Sequence, residues 1–88
     1  MRLDRYLKET RIIKRRTLAK EMCEEGFVFV NGKKAKASHE VKPGEEIEVF
    51  FKIKKVTYRV KDIPQKGTPK SDSGRYYEVI NESYYDGQ

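Results

Sequence analysis

Residues 26–32 read Gly-Phe-Val-Phe-Val-Asn-Gly, and no other stretch constrains the fold as tightly. Phe and Val are strong strand formers. Asn31-Gly32 is the preferred pair for a two-residue type I′ hairpin turn, which needs positive φ at both positions. Gly26 is suited to the left-handed conformation just past the end of a helix. The heptapeptide therefore predicts a helix that stops before it, a strand through it, and a strand returning after it. The return is expected over 33–37, where Lys34 and Lys36 alternate with Ala35 and Ala37.

Upstream, the apolar spacing is helical. At 100° per residue, Leu3, Tyr6, Leu7 and Thr10 share one face of a segment spanning 3–10, with Asp4, Lys8 and Arg11 on its flank. Asp4 lies in the first turn, where a carboxylate suits the helix dipole. Thr10-Arg11 reads as the exit, with Ile12 and Ile13 as apolar anchors. A second helix is expected over 14–25, with Leu18, Ala19, Met22 and Cys23 inward. Arg16 and Lys20, four apart, stack on one side. Lys14 projects near Thr17 and Glu21. Arg15 falls close to the apolar face, so its long side chain must reach over the helix end to keep its head in water.

Downstream, the pattern changes to strands. Val41-Lys42-Pro43-Gly44 reads as a turn. Residues 46–51 and 56–60 alternate as two strands joined by 52–55. Residues 63–74, with Pro64, Gly67, Pro69 and Gly74, read as a loop. One more strand is expected over 76–80, and 83–88 as a frayed end. Phe27, Phe29, Phe50 and Phe51 are expected as core and strand residues, not as a platform for stacked bases. Helix, helix, then a run of strands implies an α+β fold with a mostly antiparallel sheet. The division expected is 1–62 as one domain, 63–75 as a polar loop, and 76–88 as a C-terminal strand and tail.

Charge supplies the functional direction. Eight of the first twenty residues are Lys or Arg, opposed only by Asp4 and Glu9. That local balance of +6 equals the charge of the whole 88-residue chain. Positive charge on a helical scaffold at one end of a small domain marks a surface for a polyanion. Lys14, Arg15 and Arg16 at a helix start, with its free N–H donors, suit phosphate oxygens. Lys33 and Lys34, behind the hairpin turn, extend the same surface if the helices pack on the sheet. A solvated face that only keeps the protein soluble is the plain alternative.

Other classes find little support. There is no run of about 18 apolar residues for a membrane span, and no apolar signal core at the N-terminus. A cytoplasmic location follows. The basic helices lack the exposed apolar residues of a membrane-surface helix. No helix-turn-helix or zinc pattern points to duplex DNA. Cys23 is the sole cysteine and His39 the sole histidine. Cys23 fits buried packing, and His39 a solvent-facing turn. No catalytic residue, cofactor or metal site is expected.

Several ordered segments together are similar to the S4-type RNA-binding domain. They are Arg2-Leu3-Asp4-Arg5-Tyr6-Leu7, Arg15-Arg16-Thr17-Leu18-Ala19, Gly26 to Gly32, Ser38, Val41, Pro43-Gly44 and Ile47-Glu48-Val49. The resemblance covers about residues 1–51. It implies the S4-like (alpha-L) fold, with two N-terminal helices packed on a small sheet and a helix pair that binds structured RNA. Where many members cap the second helix with Ser or Thr, this chain has Lys14. That version resembles the small stand-alone branch, which holds a heat-shock protein of the ribosome and a ribosome quality-control factor. Residues 56–60, the polar loop and residues 76–80 bring the likeness closer to the latter.

The resemblance implies a clamp rather than a catalyst. Its partners would be large ribosomal subunit rRNA, peptidyl-tRNA and a tailing partner protein that extends stalled chains without a template. Off the ribosome a monomer is expected. A heat-shock-type recycling factor for large subunits is the alternative. By position Arg2, Arg15 and Arg16 match the family's RNA-contacting residues. Asp4 matches its acidic residue, which either orients a neighbouring Arg, accepts from a base or ribose hydroxyl, or simply serves the helix start. Arg11, Lys14, Lys20, Lys33 and Lys34 follow from the basic surface. For Lys8 and Lys36 contact and solvation both stand.

Overall fold

The computed structural model describes residues 1–64 and 74–86. Most of the loop expected at 63–74 thus lies outside the described residues, as do the last two residues of the expected frayed end. Two helices, α1 (Leu3–Glu9) and α2 (Arg16–Glu24), precede five strands. The strands are β1 (Val28–Val30), β2 (Lys33–Lys34), β3 (Glu46–Phe50), β4 (Lys54–Val60) and β5 (Tyr77–Tyr84). They form one sheet in the order β2-β1-β3-β4-β5, and every neighbouring pair is antiparallel. The fold is the α+β arrangement expected, with helices on an antiparallel sheet.

The heptapeptide acts as its residues dictate. Gly26 takes φ +87° and donates to the Cys23 carbonyl at 3.1 Å, while Phe27 N–H reaches the Met22 carbonyl at 2.9 Å. This pair of bonds is a Schellman termination of α2. Asn31 and Gly32 take φ 52° and 82°, the two positive values of a type I′ turn. At the next turn Gly44 has φ 93°, and Glu45 N–H returns to the Lys42 carbonyl at 3.2 Å.

Burial alternates along β1 and β3. Val28, Val30, Ile47, Val49, Val56, Tyr58 and Val60 are buried in one cluster with Leu3, Tyr6, Leu7, Ala19 and Cys23 of the helices. Phe29 and Phe50 occupy the opposite face, half-buried, edge-to-face with centroids 5.6 Å apart. Those two are therefore outside the helix-packed core, and Phe27 is 44% exposed. Phe29 and Phe50 are strand residues as expected, but they and Phe27 do not join the helix-packed core. Phe51 packs, partly buried, against the core cluster.

Four features differ from the sequence reading. First, α2 begins at Arg16, not residue 14, with Arg15 as an extended N-cap at φ −122° and ψ 135°. Ile13 is buried, and its N–H bonds to the Leu7 carbonyl at 3.0 Å. The chain is still being turned back onto α1 at that point and cannot yet be helical. Second, Leu18 is 46% exposed. The buried stripe of α2 is Ala19 and Cys23, and Leu18 lies about 120° from its centre at helical spacing. Third, β2 is two residues long instead of five, because the carbonyls of Ala37 and His39 accept the N–H groups of Asp4 and Leu3 at 3.1 and 2.8 Å. Ala35 N–H still bonds to the Val28 carbonyl of β1 at 3.1 Å, and segment 36–39 then leaves the sheet to close the start of α1.

Fourth, β4 and β5 are longer than their apolar patterns suggest. Ser83 and Tyr84, expected to fray, pair with Lys55 and Lys54. A bulge at Thr57/Tyr58 shifts the register. The C-terminal segment is held at its other end by Tyr6, whose buried hydroxyl donates to the Tyr76 carbonyl at 2.6 Å. Tyr58 and Tyr77 stack edge-to-face at 5.2 Å. Burial first, and the Tyr77 and Asp62 charges after it, push the Tyr6 hydroxyl pKa well above its usual value, so this donor stays protonated.

Candidate nucleic-acid interface

Arg2 and Arg16 stand at the N-terminal ends of the two helices, as N-cap of α1 and first residue of α2. The helices pack against each other around Leu3, Leu7 and Ala19, which brings those ends side by side. Asp4 lies between them. Arg2 donates to both carboxylate oxygens at 3.3 Å, and Arg16 Nη2 lies 3.5 Å from Oδ1. Oδ1 also accepts the Arg5 N–H at 2.7 Å. Asp4 is only 2% exposed, but both guanidinium groups are about half exposed. One buried carboxylate therefore holds two cations whose outer edges face water.

Burial pushes the Asp4 carboxyl pKa up. The Arg2 and Arg5 hydrogen bonds and the Arg16 and Arg2 charges outweigh it, so the net pKa lies below the usual value. The carboxylate stays ionised and the pair of arginines stays oriented. Of the three roles open to Asp4, these contacts fit two, the helix start and the alignment of arginines. Arg2 spends its Nε and Nη2 on Asp4, which leaves the N–H groups of Nη1 as donors for a phosphate oxygen.

Around this core the basic residues form a groove. A concave surface of about 440 Å³ is lined by Arg2, Asp4, Arg16, Thr17 and Lys20. It shares Arg2 and Lys20 with a neighbouring hollow that reaches Lys34 and Lys36. Lys33 borders a third, which also includes Lys34 and Lys36. The first turn of α2 carries no side-chain cap, which leaves its N–H donors for a ligand's oxygens. None of the ion pairs among the described residues engages Lys20, Lys33, Lys34 or Lys36.

The other candidates lie apart from that groove. Arg11 and Lys14 line a small hollow with Lys8 and Glu9 on the connection between the helices. Arg11 is exposed there and holds φ 66°, a left-handed conformation that favours glycine. Arg15 is exposed at the N-cap. Thus Arg2, Asp4, Arg16, Lys20, Lys33 and Lys34 are brought into one continuous surface, and Arg11, Lys14 and Arg15 flank it. Thr17 and Ser38 join the lining without having been candidates, and Lys36 joins it from an open choice. The Lys-Ala-Lys-Ala alternation at 34–37 was the available signal, since it places lysines outward and alanines inward.

Cys23 is buried, and burial first, with the Asp4 and Glu24 charges, pushes its thiol up to about 11. His39 pairs with Glu45 at 3.1 Å, so it is a structural contact rather than a free turn residue. Among the described residues, no group of three or more His, Cys, Asp or Glu side chains is placed to hold a metal ion. Among them no helix is long and apolar enough to cross a membrane.

Two helix starts joined through a buried acid beside a basic strand loop define an S4-type architecture. The family model described as "S4 domain" matches residues 1–47, and the chain belongs to that family. Within it, the chain is 46% identical over 82 residues to the "RQC P-site tRNA stabilizing factor" of Bacillus subtilis strain 168. That match covers 93% of this chain and 94% of the relative. The factor of the same name from Halalkalibacterium halodurans is also 46% identical, over 93% of this chain and 92% of its own length. A solved structure of Vibrio cholerae Heat Shock Protein 15, described as trimeric, aligns with a TM-score of 0.81 and 30% identity. It covers 91% of this chain and 81% of that one.

Proposed function

We propose that this protein is a ribosome quality-control factor that binds RNA through the Arg2–Asp4–Arg16 groove. It would hold peptidyl-tRNA in the P site of an obstructed large subunit while contacting large-subunit rRNA. A partner protein would then add a template-free C-terminal tail to the stalled chain. The observation that carries this reading is the pair of half-exposed guanidinium groups aligned by one buried carboxylate. Similarity to the P-site tRNA stabilizing factors along nearly the whole chain supports the tRNA and the ribosome as ligands. The role is binding and positioning, without catalysis, cofactor or metal, in the cytoplasm and as a monomer off the ribosome.

The experiment is recovery of the tagged protein from lysate, followed by identification of the bound particles. Free large subunits carrying tRNA, together with a tailing protein, are the expected yield. Recovery of only small subunits or mRNA overturns the proposal. The second reading, a heat-shock-type recycling factor, is favoured by the structural likeness to Heat Shock Protein 15. Strong heat induction with unchanged tailing after gene loss decides for it.

A further inference from the structure

Beside the arginine pair lies a second hollow whose chemistry differs from that of a phosphate site. It has a volume of about 470 Å³, within the ~300–1,000 Å³ of small-ligand pockets. Cys23 of α2 and Ala35 and Ala37 of the departing hairpin strand contribute its apolar lining. These are small and nearly fully buried side chains, so the wall is apolar and recessed. Arg2 and Lys20 stand on the side shared with the arginine groove, and Lys34 and Lys36 on the other. Glu24 also lines the hollow, and it takes part in none of the ion pairs among the described residues.

Bare phosphate has no use for an apolar floor. A nucleotide matches all three features: a flat base with apolar faces, a phosphate on each side, and a hydrogen-bonding edge. Unstacked bases are the usual targets of specific RNA readout. A carboxylate accepts from an amino group and repels a carbonyl edge, as when an acidic side chain reads the amino group of cytosine. We propose that the hollow between α2 and residues 34–38 is a nucleotide subsite. It takes an unstacked base bearing an exocyclic amino group, with Glu24 accepting from that group and the surrounding Arg and Lys on the flanking phosphates. The inference deepens the RNA-binding reading and rests on it for the assignment to RNA. The same chemistry would also take a free nucleotide.

Two measurements on the full chain test it. In the first, amide chemical shifts are followed by NMR as AMP, CMP, GMP, UMP, ribose 5-phosphate, inorganic phosphate or an oligoglutamate peptide is added. The expected result is shifts at Cys23, Ala35 and Ala37 with AMP, CMP or GMP that are at least about threefold larger than with UMP or ribose 5-phosphate. Glu24→Gln should erase the preference over UMP. Equal shifts with inorganic phosphate or ribose 5-phosphate, or stronger binding of the acidic peptide, overturn the subsite.

In the second, Ala35→Leu fills the hollow while keeping every cation, and co-sedimentation with large subunits is measured. Ala37→Leu serves the same end if the first variant does not fold. A loss of about tenfold, the scale of one base contact, assigns the subsite to RNA. Loss of mononucleotide shifts with unchanged sedimentation assigns it to a free nucleotide and overturns the RNA assignment. If the wild-type chain does not sediment with large subunits at all, the ribosomal reading fails, while base-dependent shifts would still establish the subsite.

Discussion

At the β4–β5 end of the sheet, cations face carboxylates across the strands. Lys54 pairs with Glu82 at 2.6 Å, Lys55 with Glu48 at 3.5 Å, and Arg59 with Glu46 and Glu78 at 3.1 and 4.0 Å. At the helix end the ratio is inverted. Arg2 and Arg16 share the single carboxylate of Asp4, and Lys20 and Lys34 are in none of the ion pairs among the described residues. Cross-strand pairs of opposite charge favour register and add little each when exposed. Under-compensated cations cost the isolated protein self-repulsion and return it only when a polyanion arrives. Charge at the sheet end is therefore matched within the fold, and charge at the helix end is left available to a ligand.

The largest expected break in that contrast is Arg16→Ala. Losing a charge-assisted contact of ~1.5–3 kcal/mol should weaken large-subunit binding roughly tenfold to a hundredfold. Arg59→Ala at the sheet end should change it by less than about twofold. Titrating both variants in rising salt sharpens the comparison. Each phosphate contact removed should lower the log–log slope by roughly 0.7 to 0.9, so the slope should fall for Arg16→Ala and stay unchanged for Arg59→Ala.

Asp4→Asn comes next, because it keeps the shape but removes the charge that aligns both arginines. It should lower folding stability by ~1–3 kcal/mol and weaken binding without altering any cation. The sign of its pH dependence follows from the lowered pKa. The wild-type contribution is complete above the ordinary carboxylate range and is lost as pH falls through the depressed folded-state value. Urea denaturation across acidic pH should therefore show the two proteins converging, and a constant gap would refute the role given to Asp4.

Tyr6→Phe should cost ~0.5–1.5 kcal/mol, the net value of one hydrogen bond, because the Tyr76 carbonyl still accepts the Lys61 N–H at 2.8 Å, and should leave RNA binding unchanged. The smallest effect is expected from Arg11→Gly. The left-handed backbone at φ 66° costs a non-glycine residue about 1 kcal/mol. Glycine relieves that cost but is itself more flexible when unfolded, so thermal unfolding should shift upward by at most a few degrees. A fall in RNA binding on the same substitution would show that the arginine is kept there for contact.

Much of the molecule was legible locally. Gly26, Asn31-Gly32 and Gly44 are demanded by positive φ, so helix stop, hairpin and turn could be read from residue type alone. The period-2 alternation at 46–50 likewise named its own inward face. The misplacements share another cause. Leu18 was counted inward because helical periodicity cannot say where a narrow stripe is centred. The return strand is shorter than its pattern implies because nothing in Ala35 to Ala37 records that α1 needs the carbonyls of Ala37 and His39. Ser83 and Tyr84 were expected to fray because their order comes from the ladder with Lys55 and Lys54, not from apolar spacing.

The candidate site divides in the same way. Sequence by itself determined that one end of the chain carries all the net charge, that the charge sits on and between two helical segments, and that a family motif runs through it. Helix spacing alone placed Arg16 beside Lys20. Only the tertiary structure decided that Arg2 and Arg16 flank Asp4, that Lys20 and Lys34 share a hollow, and that Arg11 and Lys14 stand outside it. The physical reason is range. Turn and helix signals act within about four residues, whereas the groove is made by packing α1, α2 and segment 35–39 around one buried carboxylate.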